Sequence, residues 1–183
     1  MANVLVPLAQ GCEELEAVTV VDLLRRAGIE VVTAGLDEQP VRASRGLVLL
    51  PDMTLESALQ QEYDMIVLPG GLPGADNLGD DERIIERLRG MSAAGKYTAA
   101  ICAAPRVLAQ AGLLDGKRAT SYPGALKTET IPGLDYQDTA VVMDGTVITS
   151  RGPGTAMDFS LSLIELLAGK QKRDEVEAGL QRA

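Results

Sequence analysis

The sequence predicts an α/β fold in which a mostly parallel sheet lies between layers of helices. Three observations carry that prediction. Apolar runs of strand length alternate along the chain with segments of helical periodicity. Met65-Ile-Val-Leu68 is apolar at every position, as expected of a parallel strand covered on both faces. Between the periodic segments lie only short connections, with no linker, repeat or low-complexity run, so residues 1–183 read as one domain.

Each element follows from its residues. Val4 to Leu8 is a short apolar run and reads as a buried strand. Glu13 to Ala27 carries Leu15, Val18, Val21, Leu24 and Ala27 at helical spacing, and Gly28 closes that helix. Ile29 to Ala34 is rich in β-branched residues and reads as a second strand. Val41 to Leu50 is an extended excursion with a turn near Arg45 and Gly46. Met65 to Leu68 is the next strand, ended by Gly70 and Gly71. Asp81 to Ala94 has the charge and spacing of a surface helix. Tyr97 to Ile101 is a further strand, followed after Cys102 by a helix running to Ala111. Ala140 to Met143 and Thr146 to Thr149 flank Asp144-Gly145, a hairpin signature, and this antiparallel pair reads as an addition to the sheet. Thr155 to Ala168 is a strongly apolar helix capped by Gly169, and the charged segment Gln171 to Gln181 is a last helix.

Composition narrows the function classes. A chain of 183 residues supports one good hydrophobic core. The formal net charge of -9 argues against general nucleic-acid binding, which needs clustered Lys and Arg. Two cysteines ninety residues apart do not make a disulfide framework. The start of the chain has no basic region before its short apolar run, no run approaches membrane-spanning length, and a reducing cytoplasm is the simplest compartment.

Ala99-Ala-Ile-Cys-Ala-Ala-Pro105 is the most informative stretch. An apolar strand stops at Cys102, small residues follow, and Pro105 suits a first helical turn. A thiol at such a strand–helix corner sits in the positive end of a helix dipole, which favours thiolate. The same residues also describe a small cysteine buried at the end of a core strand. Ligands of open parallel sheets bind at the carboxyl ends of the strands. There the loop from Gly11 to Glu16, the Gly70-Gly71 turn and Cys102 converge. Acids in the first turn of a helix, such as Glu13, Glu14 and Glu16, are ordinarily explained by capping and dipole.

Five motifs in order carry a resemblance over nearly the whole chain: Gly11 to Val18, Leu23 to Ile29, Tyr63 to Gly71, Ala99 to Pro105, and Thr149 to Thr155. With them the sequence resembles the ThiJ/PfpI superfamily, and within it the DJ-1 branch with its bacterial homologues. The resemblance implies a flavodoxin-like three-layer α/β sandwich, a reactive Cys102 contacted by Glu16, and usually a homodimer. A protonated Glu16 would donate to the thiolate and lower the cysteine's pKa, whereas an ionised one would repel it, so the two must share a proton. Backbone amides at Gly70, Gly71 and Ala103 would face an oxyanion. Arg26 and Arg45 match positions at the site rim and dimer interface. Arg151 and Pro153 precede the last long helix, either as an anion site or as a loop whose arginine pairs with an acid.

The departures matter as much. The chain has no histidine, which excludes a Cys-His dyad and a His-assisted zinc site. The protease-like branch places histidine where this chain has Ala103, so peptidase activity is not expected. Where the human-type branch has a histidine, this chain has Tyr122, a poor proton shuttle near neutral pH. Cys12 reads as a small residue in a tight loop. The expected function is stress protection: Cys102 adds to a reactive carbonyl such as glyoxal or methylglyoxal, or to a glycated substrate, without a cofactor or metal. The alternative is a redox sensor or chaperone in which Cys102 is oxidised to a sulfinate.

Overall fold

The computed structural model describes residues 2–182. Its elements, in chain order, are β1 (Asn3–Leu8), α1 (Glu14–Arg26), β2 (Glu30–Gly35), β3 (Val41–Arg42), β4 (Val48–Leu49), β5 (Met53–Thr54), α2 (Leu55–Ala58), β6 (Met65–Leu68), α3 (Gly74–Asp80), α4 (Glu82–Ala93), β7 (Tyr97–Ile101), α5 (Pro105–Gln110), β8 (Arg118–Ala119), β9 (Asp135–Tyr136), β10 (Val141–Asp144), β11 (Val147–Ser150), α6 (Ala156–Ala168) and α7 (Lys170–Gly179). No helix among the described residues is long and apolar enough to cross a membrane.

Seven strands form one sheet in the order β10-β11-β7-β6-β1-β2-β5. All neighbours are parallel except β10 and β11, the hairpin expected around Asp144 and Gly145. Leu5 lies opposite Ile66, and Leu68 opposite Ala100, so the central strands present a continuous apolar surface. Helices α1 and α6 pack together, and α3, α4 and α5 form a second group, with α4 and α5 against β7. The result is the flavodoxin-like sandwich that the alternating pattern implies. Burial is complete for Val4, Leu5, Val6, Ile66, Val67, Leu68, Ala99, Ala100 and Ile101. Removing such side chains from water supplies roughly 25 cal/mol per Å² of apolar surface and is the main force behind the core.

The chain runs from β1 outward to β2, then returns to the other side of β1 as β6 and β7. That reversal opens a crevice at the carboxyl ends of β1 and β6, the usual ligand position in such sheets. The loops after β1, β6 and β7 meet there. The segment from Val41 to Leu49 is a small antiparallel hairpin, with Val41 opposite Leu49.

One periodicity reading needs correction. The spacing of Leu15, Val18 and Val21 suggests that they face the core, yet Leu15 and Val18 are exposed. The buried face of α1 carries Glu16, Ala17, Val20, Leu23 and Leu24. The helix has two apolar stripes, and the sheet takes the one that contains an acid.

Candidate active site

Cys102 follows the last residue of β7 with φ 64°, in the left-handed region that non-glycine residues avoid. Such a conformation costs an L-residue roughly 1–2 kcal/mol and persists only where neighbours enforce it. Here the Cys102 amide donates to the Ser150 carbonyl at 2.9 Å, and the Cys102 carbonyl accepts from the Tyr122 amide at 2.9 Å. The Ala104 amide donates to the Ile101 carbonyl at 3.0 Å, closing the turn before Pro105 opens α5 as its first residue. The strand, corner and helix expected around Cys102 are therefore present.

Glu16 reaches the same point from α1. Glu13 caps that helix, its carboxylate accepting the Glu16 amide at 2.8 Å. This sets the first turn and directs the Glu16 side chain inward, where it is fully buried. Its Oε2 accepts from the Gly70 amide at 2.8 Å. Its Oε1 has no nitrogen or oxygen partner. The carboxyl and the Cys102 thiol are near enough to couple.

Gly70 permits this approach. A Cβ on it would lie 2.6 Å from Cys102 Cβ and 2.8 Å from Glu16 Oε2, inside both atoms' contact distance. Gly71 has φ 88°, and a Cβ there would lie 2.4 Å from the Glu13 amide nitrogen. The Gly71 and Ala103 amides lie close enough to the Cys102 sulfur to favour its thiolate form. Of the three amides expected to face the thiol, those of Gly71 and Ala103 lie beside it, whereas the Gly70 amide is taken up by the Glu16 carboxylate.

The electrostatics differ from the sequence expectation. Burial, opposed by the Gly70 amide and Cys102, raises the Glu16 carboxyl to about 7. The Cys102 thiol is pushed up to about 12, first by burial, then by the charge of Glu16, against the two amides that favour thiolate. A lowered thiol pKa from the dipole alone is not what this environment gives. The helix after Cys102 has six residues and starts at 105, whereas the carboxylate is in direct reach. While Glu16 is ionised it holds the thiol protonated, and when Glu16 carries the proton that repulsion vanishes. The two groups titrate as a coupled pair.

The remaining predicted residues divide. Tyr122 is half-exposed beside Gly152, next to the Cys102 sulfur. Arg45 sits at the hairpin tip, its amide donating to Glu14 at 2.8 Å, so it lies at the α1 N-terminus. Arg26 lies at the opposite end of α1, paired with Asp22 at 2.8 Å, about 15 Å along the helix from Glu16. Arg151 pairs with Asp138, the acid-paired loop among its two readings. Pro153 opens a 3-10 turn, Pro153–Thr155, leading into α6. Cys12 is buried, and burial with Glu14 and Glu13 raises its thiol to about 12. Gly152 was not singled out by sequence reasoning. Its signal was the glycine directly after Arg151 in a loop pointing at the same crevice.

Comparison with known proteins bears on the family. Residues 2–166 match the DJ-1/PfpI family. The chain is 46% identical to the Drosophila melanogaster protein dj-1beta over 180 residues, covering 97% of this chain and 96% of that one. The crystal structure of that Drosophila protein superposes with a TM-score of 0.94, covering 100% of this chain and 98% of the other. Toxoplasma gondii DJ-1 in an oxidized form is 38% identical with a TM-score of 0.92, each chain fully covered. A Caenorhabditis elegans relative named glutathione-independent glyoxalase DJR-1.2 is 35% identical, covering 96% of this chain and 92% of its own. A family match over most of the chain, with relatives matched almost end to end, places this chain in the DJ-1/PfpI family.

Proposed function

We propose that the protein is a cysteine-dependent enzyme acting on small reactive carbonyls, with Cys102 as nucleophile and Glu16 as proton carrier. The observation that carries this reading is a buried thiol on a strained corner, flanked by one unpaired carboxyl oxygen and two backbone donors. The relative named as a glutathione-independent glyoxalase supports it.

The chemistry follows from the positions. The Cys102 sulfur adds to the aldehyde carbon of a 2-oxoaldehyde. A carbon–sulfur bond forms, the carbonyl π bond opens, and the thiol proton ends on the new alkoxide, giving a hemithioacetal. The Gly71 and Ala103 amides stabilise the oxyanion before it is protonated. Glu16 then takes the proton from the former aldehyde carbon and returns it to the neighbouring carbon. The hemithioacetal's hydroxyl proton passes to the neighbouring oxygen, so that carbon becomes the alcohol and the first becomes a thioester. Water cleaves the thioester to a 2-hydroxy acid and restores the thiol. A carboxyl raised to about 7 suits both halves of this transfer near neutral pH. Removal of early glycation adducts begins with the same carbonyl chemistry.

Methylglyoxal supplied without glutathione should give lactate catalytically with the wild type. Cys102→Ser should lose at least about a hundredfold, the scale of losing a nucleophile or acid–base group. Glu16→Gln should retain alkylation of Cys102 while losing turnover. A second reading is oxidation of Cys102 to a sulfinate, favoured by the oxidized relative. Thiol loss in proportion to peroxide, with no lactate at any aldehyde concentration, would decide for it. The exposed Leu15, Val18, Leu47, Val48 and Leu50 around α1 and the hairpin support a homodimer. Sedimentation at micromolar concentration should give a dimer, and a monomer throughout overturns that part.

A further inference from the structure

Gly152 lies between β11 and the turn at Pro153–Thr155. Its φ of 165° is extended backbone that any residue adopts. Its amide donates to Thr155 Oγ1 at 3.1 Å, and its carbonyl accepts from the Thr155 amide at 2.9 Å. Neither the conformation nor these bonds require glycine, but the space beside residue 152 is tight. A Cβ at residue 152 would stand 3.3 Å from Tyr122 Cδ2 and 3.9 Å from the Cys102 sulfur. One point therefore touches both the ring and the thiol, and the missing side chain leaves it open.

The backbone that carries the ring is held beside that point. The Tyr122 amide donates to the Cys102 carbonyl at 2.9 Å. The Tyr122 carbonyl accepts from the Ala125 amide at 2.9 Å and from Ser121 Oγ at 2.9 Å. The backbone carrying the aromatic wall is thus tied to the backbone carrying the nucleophile. Cys102 itself is only 8% exposed, so little of its surface is open to a reagent.

We propose that Tyr122 and Gly152 form a steric gate over the Cys102 sulfur that admits 2-oxoaldehydes bearing hydrogen or methyl and rejects aryl or branched ones. The substrate class rests on the carbonyl-addition reading; the gate rests on the geometry alone. When sulfur bonds a carbonyl carbon, that carbon's substituents lie one bond farther out. They enter the space where a side chain at 152 would stand, with the ring as its other wall. A histidine is absent from the chain, and here the aromatic residue contributes shape.

Two probe pairs test the gate. Iodoacetamide and N-ethylmaleimide report access to Cys102 without turnover, read by mass spectrometry of the Cys102 peptide. Methylglyoxal and phenylglyoxal report selectivity in turnover, read as lactate and mandelate. Tyr122→Ala should raise the bulky-to-small rate ratio by about tenfold or more in both pairs, and Gly152→Ala should lower it by a similar factor. Tyr122→Phe keeps the ring and should keep the wild-type ratios. If both reagents of a pair change by one common factor in Tyr122→Ala and Gly152→Ala, the gate is overturned. If the alkylation ratios shift as expected but neither aldehyde is turned over by the wild type, the gate stands and the carbonyl reading falls. If lactate forms and neither ratio moves, the reverse holds. Thermal unfolding checks each variant, and if Gly152→Ala does not fold, the ratios in Tyr122→Ala decide.

Discussion

Glu16 occupies a place where the rest of its stripe is apolar. Ala17, Val20, Leu23 and Leu24 around it satisfy the core, and a carboxyl among them is raised from its ordinary 4.5 to about 7. This has a stability consequence with a definite sign. In the unfolded chain Glu16 ionises near its ordinary value, while the folded protein holds the proton to about 7. Between those values the folded state binds more protons, so rising pH costs stability, on the order of 3 kcal/mol when complete. Glu16→Gln removes that cost. Its stability relative to wild type should climb from pH 4.5 to about 7 and level off above, in urea denaturation across that range. Parallel curves for the two proteins would refute the assignment. The sequence showed Glu16 only as one of three acids in a first turn, where capping explains acids well. Glu13 does the capping, so the common explanation was correct for it, while Glu14 instead holds the hairpin. That Glu16 turns inward depends on which stripe of α1 meets the sheet, and periodicity does not contain that information.

At the scale of elements, α1 is used on two faces. One meets the sheet and α6, and the other presents Leu15 and Val18 to solvent beside the hairpin of β3 and β4. The hairpin is fastened to the helix by a single carboxylate. Glu14 accepts from the Arg45 amide at 2.8 Å and from Ser44 Oγ at 3.1 Å, which lowers its pKa against the cost of burial. Helix and hairpin therefore form one surface, on which Leu47, Val48 and Leu50 continue the apolar patch. Val18→Asp places a charge in it and should weaken self-association at least tenfold in sedimentation, with the monomer still folded. An unchanged dimer would locate the interface elsewhere. Elements with strong periodicity were legible: β1, α1, β2, β6, β7, β11 and α6 fall where the sequence puts them, within a residue or two. Helix α3 was not, because Gly74-Ala-Asp-Asn-Leu-Gly-Asp80 has two glycines and no sustained stripe. Its helicity comes from packing Ala75 and Leu78 into the core, a tertiary effect.

At the scale of the molecule, the strand order brings the candidate site together at the carboxyl ends of the central strands. That the loops at the carboxyl ends of the strands would meet was readable from the alternating strands and helices, whereas the reversal between β2 and β6 about β1 was not. It brings together residues as distant as 16, 70, 102, 122 and 152. What that pattern also leaves out is the strain needed to aim the thiol, since φ 64° at Cys102 is invisible in composition. That strain reverses an ordinary ranking. In most of a protein alanine is more stabilising than glycine by about 0.5–1 kcal/mol, because glycine loses more freedom on folding. At position 102 alanine keeps the left-handed backbone that glycine adopts without penalty. Cys102→Gly should therefore melt above Cys102→Ala by a few degrees. The opposite order in paired thermal scans would mean the corner is relaxed. A chain selected for durability alone would carry glycine there, so the sulfur marks a place where a demand other than thermal robustness sets the residue.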